Sequence, residues 1–404
     1  MSTRVVLAGV SGYGARHLAA LRRLEEAGRA EIVALVDTAF SSVEHDVVYH
    51  EGAAFEASDL DVALDAVDAD LVVVATPPHT HLALASTVLR RGLALYLEKP
   101  PVPRLQDLAV LEEQVRPGQR VEVGFQLARR NLAVLTEAWN DGLVGTVQRI
   151  AAHAALARAD GYYARSAWAG RWFLDGTAVL DGPLFNPCAH ILHAAVQAAT
   201  VVCPGWKAGD LSAECYSVRD IDGDDVIALR VQPVDDGPVV VASATTAADE
   251  VLEPAITLHG TRGELTVRHR DGEAWLRRDG RHTTIPAPAD STGPLDAAVA
   301  DPRGEGDALL SLAAMRPYLR LVNAVVEACG TPGRITAHRD RVEHAGDVFQ
   351  RLPGVTAAIR RVVSEGTLFS ENRERWAAAP ARMDLREYTH FDHPRDAGVQ
   401  GSES

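Results

Sequence analysis

The chain has 404 residues, 47% hydrophobic and 24% charged, ordinary proportions for a folded protein with room for two cored domains. Its 40 Lys and Arg against 55 Asp and Glu leave a formal net charge of −15 with no long basic run, which argues against a nucleic-acid or membrane partner. No apolar run is long enough for a membrane span, and the apolar start MSTRVVLAGV is too short for a signal peptide, so a cytoplasmic location is expected.

Residues 1–125 alternate short apolar runs with helical patterns, the mark of parallel βαβ units. Residues 3–8 read as a strand, 15–27 as a helix and 31–36 as a second strand. The run 71–75 (LVVVA) is apolar throughout, as a strand buried on both faces should be. A helix over 81–92, a strand over 93–97, a helix over 105–115 and a strand over 121–124 follow.

The pattern then changes. A helix over 131–141 precedes strand-like runs at 146–157, 212–219, 225–232, 239–245, 255–258, 264–269 and 274–277, parted by turns such as Asp222-Gly223 and Asp271-Gly272. Helices are expected at 187–199, 309–328 and 345–364, and the tail after Arg375 reads as an extended arm. The expected fold is an α/β Rossmann domain with a parallel sheet, over 1–124. An α+β domain with a large, mostly antiparallel sheet follows over 125–404. The cysteines (Cys188, Cys203, Cys215 and Cys329) form no CxxC pair, so free thiols are expected rather than a disulfide framework or a zinc site.

Gly9-Val10-Ser11-Gly12-Tyr13-Gly14 joins the first strand to the first helix. A turn this tight needs glycine, and the helix start offers N–H groups to a pyrophosphate. The strict pattern is G-x-S-x-x-G, with Ser11 where a glycine is usual; its small side chain permits close approach and its hydroxyl adds a phosphate contact. Asp37 ends the second strand 23 residues after Gly14 (37 − 14), the spacing of a ribose-binding carboxylate. A carboxylate there repels a 2′-phosphate, and residues 38–42 carry no Arg or Lys, so NAD is favoured and NADP is the alternative.

Ala75-Thr76-Pro77-Pro78-His79-Thr80-His81 ends the apolar strand. The prolines hold an extended loop and Thr80 is placed to cap the next helix. His79 and His81 read equally as solvated residues or as cofactor contacts. Glu98-Lys99-Pro100-Pro101 ends the next strand. A lysine there is partly desolvated and suited to proton chemistry, with Glu98 to orient it or balance its charge; a cis Lys99–Pro100 bond is compatible with this turn. A surface ion pair at a strand end is the other reading of Glu98-Lys99 taken alone.

Together these residues resemble the glucose–fructose oxidoreductase, inositol dehydrogenase and rhizopine-catabolism family, Gfo/Idh/MocA. The matching elements are the glycine turn with Gly14-x-x-His17, Thr76-Pro77-Pro78-His79-x-His81, Glu98-Lys99-Pro100, Gly124-Phe125-Gln126 with Arg129, and the segment Tyr162-Tyr163-Ala164-Arg165-Ser166-x-Trp168-Ala169-Gly170. The resemblance implies an open-faced sheet in the second domain, a homodimer or homotetramer, and NAD(P)-dependent oxidation or reduction of a sugar or cyclitol hydroxyl. It implies Lys99 as a catalytic residue. It implies Gly9, Ser11, Gly12, Tyr13, Gly14, Asp37, Thr76, Pro77, His81, Glu98, Lys99, Gln126 and Trp168 as the cofactor contacts.

One segment departs from the family pattern. Many members carry D-x-G-x-H-x-x-D, and the run here is Asn186-Pro187-Cys188-Ala189-His190-Ile191-Leu192-His193. His190 keeps the histidine and is the second expected catalytic residue; Asn186 and His193 replace the two acids. Asn186 reads equally as a substrate contact or as an N-cap ahead of Pro187. The two histidines lack a carboxylate at matching spacing, so no metal is expected. Asn186, His193, Tyr163 and Arg165 are the expected substrate contacts. The aromatics Tyr162, Tyr163, Trp168, Trp172 and Phe185, with Arg171, line a sugar site or else pack on the core. The expected reaction is oxidation of a polyhydroxylated substrate by NAD. The alternatives are transient oxidation with tightly held NAD in an elimination or glycoside-cleaving reaction, and a non-catalytic NAD-binding regulator.

Overall fold

A computed structural model describes residues 2–41, 54–286, 293–304, 306 and 308–397. Ser42, the last of the residues following Asp37 considered above, and the end of the tail lie outside them. The chain forms two compact units, Met1–Gln126 with Thr292–Arg316, and Leu127–Ser291 with Pro317–Ser404.

The first unit runs β1 (Thr3–Ala8), α1 (Gly14–Glu26), β2 (Ala30–Val36), β3 (Phe55–Ala57), α2 (Leu60–Ala66), β4 (Leu71–Val74), α3 (His81–Arg91), β5 (Ala94–Leu97), α4 (Leu105–Gln114) and β6 (Val121–Val123). The six strands form one parallel sheet in the order β3-β2-β1-β4-β5-β6. Every residue of β4 and β5 is buried, which is why both read as unbroken apolar runs. Two crossover helices have a local reason to start or stop: Asp59 caps α2 through the Val62 N–H at 3.0 Å, and Gly92, at φ +74°, ends α3. The register aligns Ala8 with Val74, Val74 with Leu97, and Leu97 with Val123. The glycine turn, the Ala75 loop, Glu98-Lys99 and Gly124 therefore all leave the sheet along one edge. The strand order reverses between β1 and β4, where open parallel sheets bind ligands. The helix Pro294–Ala300 returns to this unit from far along the chain. Its Leu295, Ala298 and Val299 join the core of Val5, Leu7 and Leu71, and Thr3 donates its hydroxyl to the Val299 carbonyl at 2.6 Å.

The second unit contains α5 (Ala128–Asn140), β7 (Val147–Ala157), α6 (Asp160–Ala164), β8 (Phe173–Leu174), β9 (Thr177–Ala178), α7 (Ala189–Val202), β10 (Ala208–Ser217), β11 (Val226–Pro233), β12 (Val239–Thr245), β13 (Ala247–Gly260), β14 (Gly263–Arg268), β15 (Ala274–Arg278) and β16 (Arg281–Ile285). Its large sheet runs β16-β15-β14-β13-β7-β12-β11-β10, ending on the short strand Gly333–Arg334. Pairing is antiparallel except where β7 meets β12 and β10 meets the short strand.

One expectation fails here. Residues 345–364 are not one helix: Asp340–His344 and Asp347–Arg351 pair as a hairpin, and the helix is Val355–Glu365. Ala345 and Gly346 both take positive φ, a two-residue reversal that a helix cannot hold. Helices pack on the centre of the large sheet. Val355, Ala358, Ile359 and Val362 pack on Ala151, Ala155, Val226 and Val241, while α7 lies against β7, β12 and β13. Ala151 and Ala155 share a face of β7, and the alternation of a strand turns the buried Ile150, Ala152 and Ala154 to the other. The residues after Arg375 do form an arm: Ala381–Asp384 pairs with β10, and Phe391 and His393 stack on Phe173.

Candidate active site

Gly9 stands at φ +86°, and a Cβ there would lie 2.8 Å from the Ala75 backbone. A Cβ on Gly14 would lie 1.9 Å from the Gly9 carbonyl oxygen, so only glycine lets α1 start against the turn. The first turn of α1 has no acidic residue, and its N-cap Tyr13 makes no side-chain cap. Ser11 and Gly12 are exposed beside it. Asp37 reaches back to this turn and accepts the Val10 N–H at 3.0 Å. Bare N–H groups, a backbone that comes close, and an adjacent carboxylate fit a dinucleotide's pyrophosphate and ribose.

Beside the turn lies a buried polar cluster. His17 on α1 donates its Nε2 proton to Glu98 Oε1 at 2.7 Å, and Gln126 Nε2 donates to the same oxygen at 2.7 Å. The other oxygen accepts the Lys99 backbone N–H at 3.1 Å. Glu98 is 5% exposed, and Gly124 has no side chain because a Cβ there would lie 2.7 Å from Glu98 Oε1. Lys99 is half-buried at the strand end, and its bond to Pro100 is cis. Burial, and next the Glu98 charge, raise the Tyr96 phenol well above its ordinary range.

His81 is neither solvated nor at a surface. It is fully buried, with Nε2 2.8 Å from the Thr76 carbonyl oxygen and Nδ1 3.0 Å and 3.2 Å from those of Pro100 and Pro101. It ties the loop after β4 to the loop after β5, which replaces the expected cofactor contact with a positioning role. Burial lowers its pKa. Thr80 does not cap α3; its hydroxyl bonds to the Pro77 carbonyl and meets Thr76 Oγ1 at 2.6 Å. Pro78–Thr80 forms a short 3-10 turn, with Thr76 and Pro77 half-buried ahead of it.

In the second unit, α7 starts at Ala189 with Cys188 as N-cap, so Asn186 is not the cap. Its amide donates instead to Asp181 Oδ1 at 2.9 Å, and Asp181 Oδ2 takes the Gly170 N–H at 2.7 Å. His190 is half-buried, its ring 4.9 Å from that of His269. Asn131 donates to His269 Nδ1 at 2.8 Å, which leaves the His269 proton on Nε2. Burial, then the Arg130 charge, lower His269 to about 4. His193 is fully enclosed, edge-on to Tyr318, and burial lowers it to about 3, so it is a core residue and not a substrate contact. Tyr163 bonds Thr246 Oγ1 at 2.6 Å beneath the Arg219 guanidinium. Exposed Arg165 stacks 3.6 Å over the Tyr162 ring and 5.2 Å from Trp168. Trp172 and Phe185 are core residues.

Sequence patterns missed Asp181, Asn131 and His269, because each acts on a partner through a fold contact that no spacing marks. His17 carried a signal, its offset from Gly14. Among the described residues no group of His, Cys, Asp or Glu is placed to hold a metal, and no helix is long and apolar enough to cross a membrane.

Residues 3–125 match the family model GFO_IDH_MocA, "Oxidoreductase family, NAD-binding Rossmann fold". Over 124 residues the chain is 36% identical to inositol 2-dehydrogenase 4 of Saccharopolyspora erythraea, a stretch covering 30% of this chain and 36% of that protein. Over 372 residues it is 26% identical to the "Putative UDP-kanosamine synthase oxidoreductase subunit" of Amycolatopsis mediterranei, covering 82% of this chain and 97% of the other. The WlbA dehydrogenase of Bordetella pertussis, solved with NADH and UDP-GlcNAcA, shares the fold at a TM-score of 0.63 and 22% identity, over 80% of this chain and 95% of that one.

Proposed function

We propose, from the match of residues 3–125 to the Gfo/Idh/MocA oxidoreductase family model, that the chain is an NAD-dependent dehydrogenase acting on a CH–OH group of a sugar or cyclitol. The observation that carries this reading is the 2.7 Å bond from His17 to Glu98. It joins the helix that would hold the cofactor phosphates to the backbone that carries Lys99. NAD, when bound, supplies the two-electron acceptor.

Gly9, Gly12, Gly14 and the α1 N-terminus would hold the pyrophosphate, and Asp37 the ribose hydroxyls. Lys99 orients the substrate hydroxyl or shares its proton. His190 is the general base for that proton. Asn186, held by Asp181, positions a neighbouring hydroxyl, and Tyr163, Arg165 and Trp168 flank the substrate. The inositol dehydrogenase and UDP-sugar relatives support a polyhydroxylated substrate. A cytoplasmic homodimer or homotetramer belongs to the same reading, and light scattering tests the assembly.

The deciding experiment follows reduced nicotinamide by absorbance across sugars, cyclitols and glycosides, with NAD and NADP in parallel. NAD-linked turnover of at least one polyol, faster than with NADP, is expected. Product formation with no accumulating NADH would move the assignment to transient oxidation by retained cofactor. NAD binding with no turnover anywhere on the panel would make the protein a regulator.

A further inference from the structure

The second unit holds a cavity of about 450 Å³ that the reading above leaves unused, a size within the range of small-molecule sites. It lies between α6, the loop after β10 and the 340–351 hairpin. Its inner wall sets one guanidinium against two carboxylates. Arg219, 4% exposed, reaches Asp225 at 3.1 Å and Asp160 at 3.3 Å, and Gln350 donates to the other Asp160 oxygen at 2.9 Å. The rim is different. Arg339 gives one N–H to the Val218 carbonyl at 2.8 Å, and among the described residues no carboxylate pairs with it. Among the described residues Arg341 pairs only with Glu343, and both are more than half exposed, so water largely screens that pair. Asp220, the remaining acid of the lining, is 99% exposed and bonded to Arg334.

The rim thus presents the Arg339 guanidinium, which no carboxylate among the described residues pairs with, and near it the water-screened Arg341. Planar guanidinium forks suit carboxylate and phosphate oxygens. Tyr163 is a shared wall: on its other side lies the narrow crevice of Tyr162, Asp181 and Pro187, next to Asn186. We infer that the cavity receives an anionic substituent of the substrate, a phosphate or a carboxylate, while the sugar ring lies on the Asn186 side of Tyr163. This rests on the dehydrogenase reading and narrows it: the substrate is an acidic or phosphorylated sugar rather than a neutral polyol.

The test is calorimetric titration of the full chain, with NAD present, by matched sets of a neutral sugar, its uronate, its phosphate and its nucleotide diphosphate. The same set is assayed for NADH formation. An anionic member should bind at least about tenfold more tightly than its neutral parent. Arg339→Gln, and separately Arg341→Gln, should cut that preference about tenfold for Arg339 and less for Arg341. The uronate and phosphate arms separate the two sources of charge. Equal affinity for neutral and anionic forms, or a preference that survives both substitutions, overturns the inference even where NADH forms. Anion-selective binding that depends on Arg339 without any NADH formation upholds the cavity and sinks the dehydrogenase reading instead.

Discussion

The two regions that hold candidate chemistry are built in different ways. Around the glycine turn and Lys99, each residue follows the end of a parallel strand. The register brings those ends to one sheet edge, and the His17–Glu98 bond finishes the arrangement. Around α7 the histidines depend on residues remote in the chain: His190 on His269, and His269 on Asn131, 138 positions away. The first region is therefore specified by backbone geometry and the second by packing. Where backbone geometry decides, glycine and proline leave a mark in the sequence. Where packing decides, nothing local records the partner.

Breaking the backbone of the first region should have the largest effect. A methyl group on Gly14 cannot fit 1.9 Å from the Gly9 carbonyl oxygen, so α1 must shift. Gly14→Ala should lower stability by about 3 kcal/mol, as overpacking at a rigid contact does, and abolish measurable NAD binding. Urea unfolding and NAD titration check both. A variant within about 1 kcal/mol of wild type that still binds NAD would show that the close approach is not what fixes the turn.

Next in size is the chemistry. Lys99→Ala should reduce turnover at least about a hundredfold while NAD affinity changes by less than about threefold, because Glu98 and His17 still hold the loop. His190→Ala, assayed beside it, sharpens the comparison. A comparable loss would mean that both regions supply chemistry. Near-normal turnover in the Lys99 variant would return that lysine to a surface charge at a strand end.

The division explains what could be read from the sequence. Five strands of the parallel sheet, the helices α1, α3 and α4, and the role of Gly9 and Gly14 were legible, since each follows from a local conformational demand, whereas the short β3 and α2 were not. The helix Pro294–Ala300 inside the first unit was not, because its apolar face says only that it is buried and not where. The hairpin at 340–351 was misread as helix, since Val342, Val348 and Phe349 fit either period and the turn residues Ala345-Gly346 include an alanine that rarely takes positive φ. Histidines misled most. His81 and His193 have the chemistry of ligands but are both fully buried, one fixed between carbonyls and the other edge-on to an aromatic ring.

That burial gives the smallest effect at neutral pH. His193 has a folded pKa of about 3, lowered by burial and next by the His269 charge, against about 6.5 when unfolded. At pH 7 the ring is neutral in both states and contributes nothing to pH dependence. As pH falls below about 6.5, the unfolded chain takes up a proton that the folded chain refuses until about pH 3. Stability is therefore lost on acidification, at up to about 1.4 kcal/mol per pH unit from this one group. His153 and His269, each lowered to about 4 by burial, act in the same direction. His193→Leu keeps an apolar side chain against Tyr318 and should change stability at pH 7 by about 1 kcal/mol or less. Between pH 6 and 4 its urea midpoint should fall less steeply than that of wild type, by one group's slope. Parallel midpoint curves would mean that His193 takes up its proton in the folded protein as readily as in the unfolded one. It would then be a solvated, site-facing histidine like the one the family pattern led us to expect, and α7 would present two histidines to the substrate rather than one.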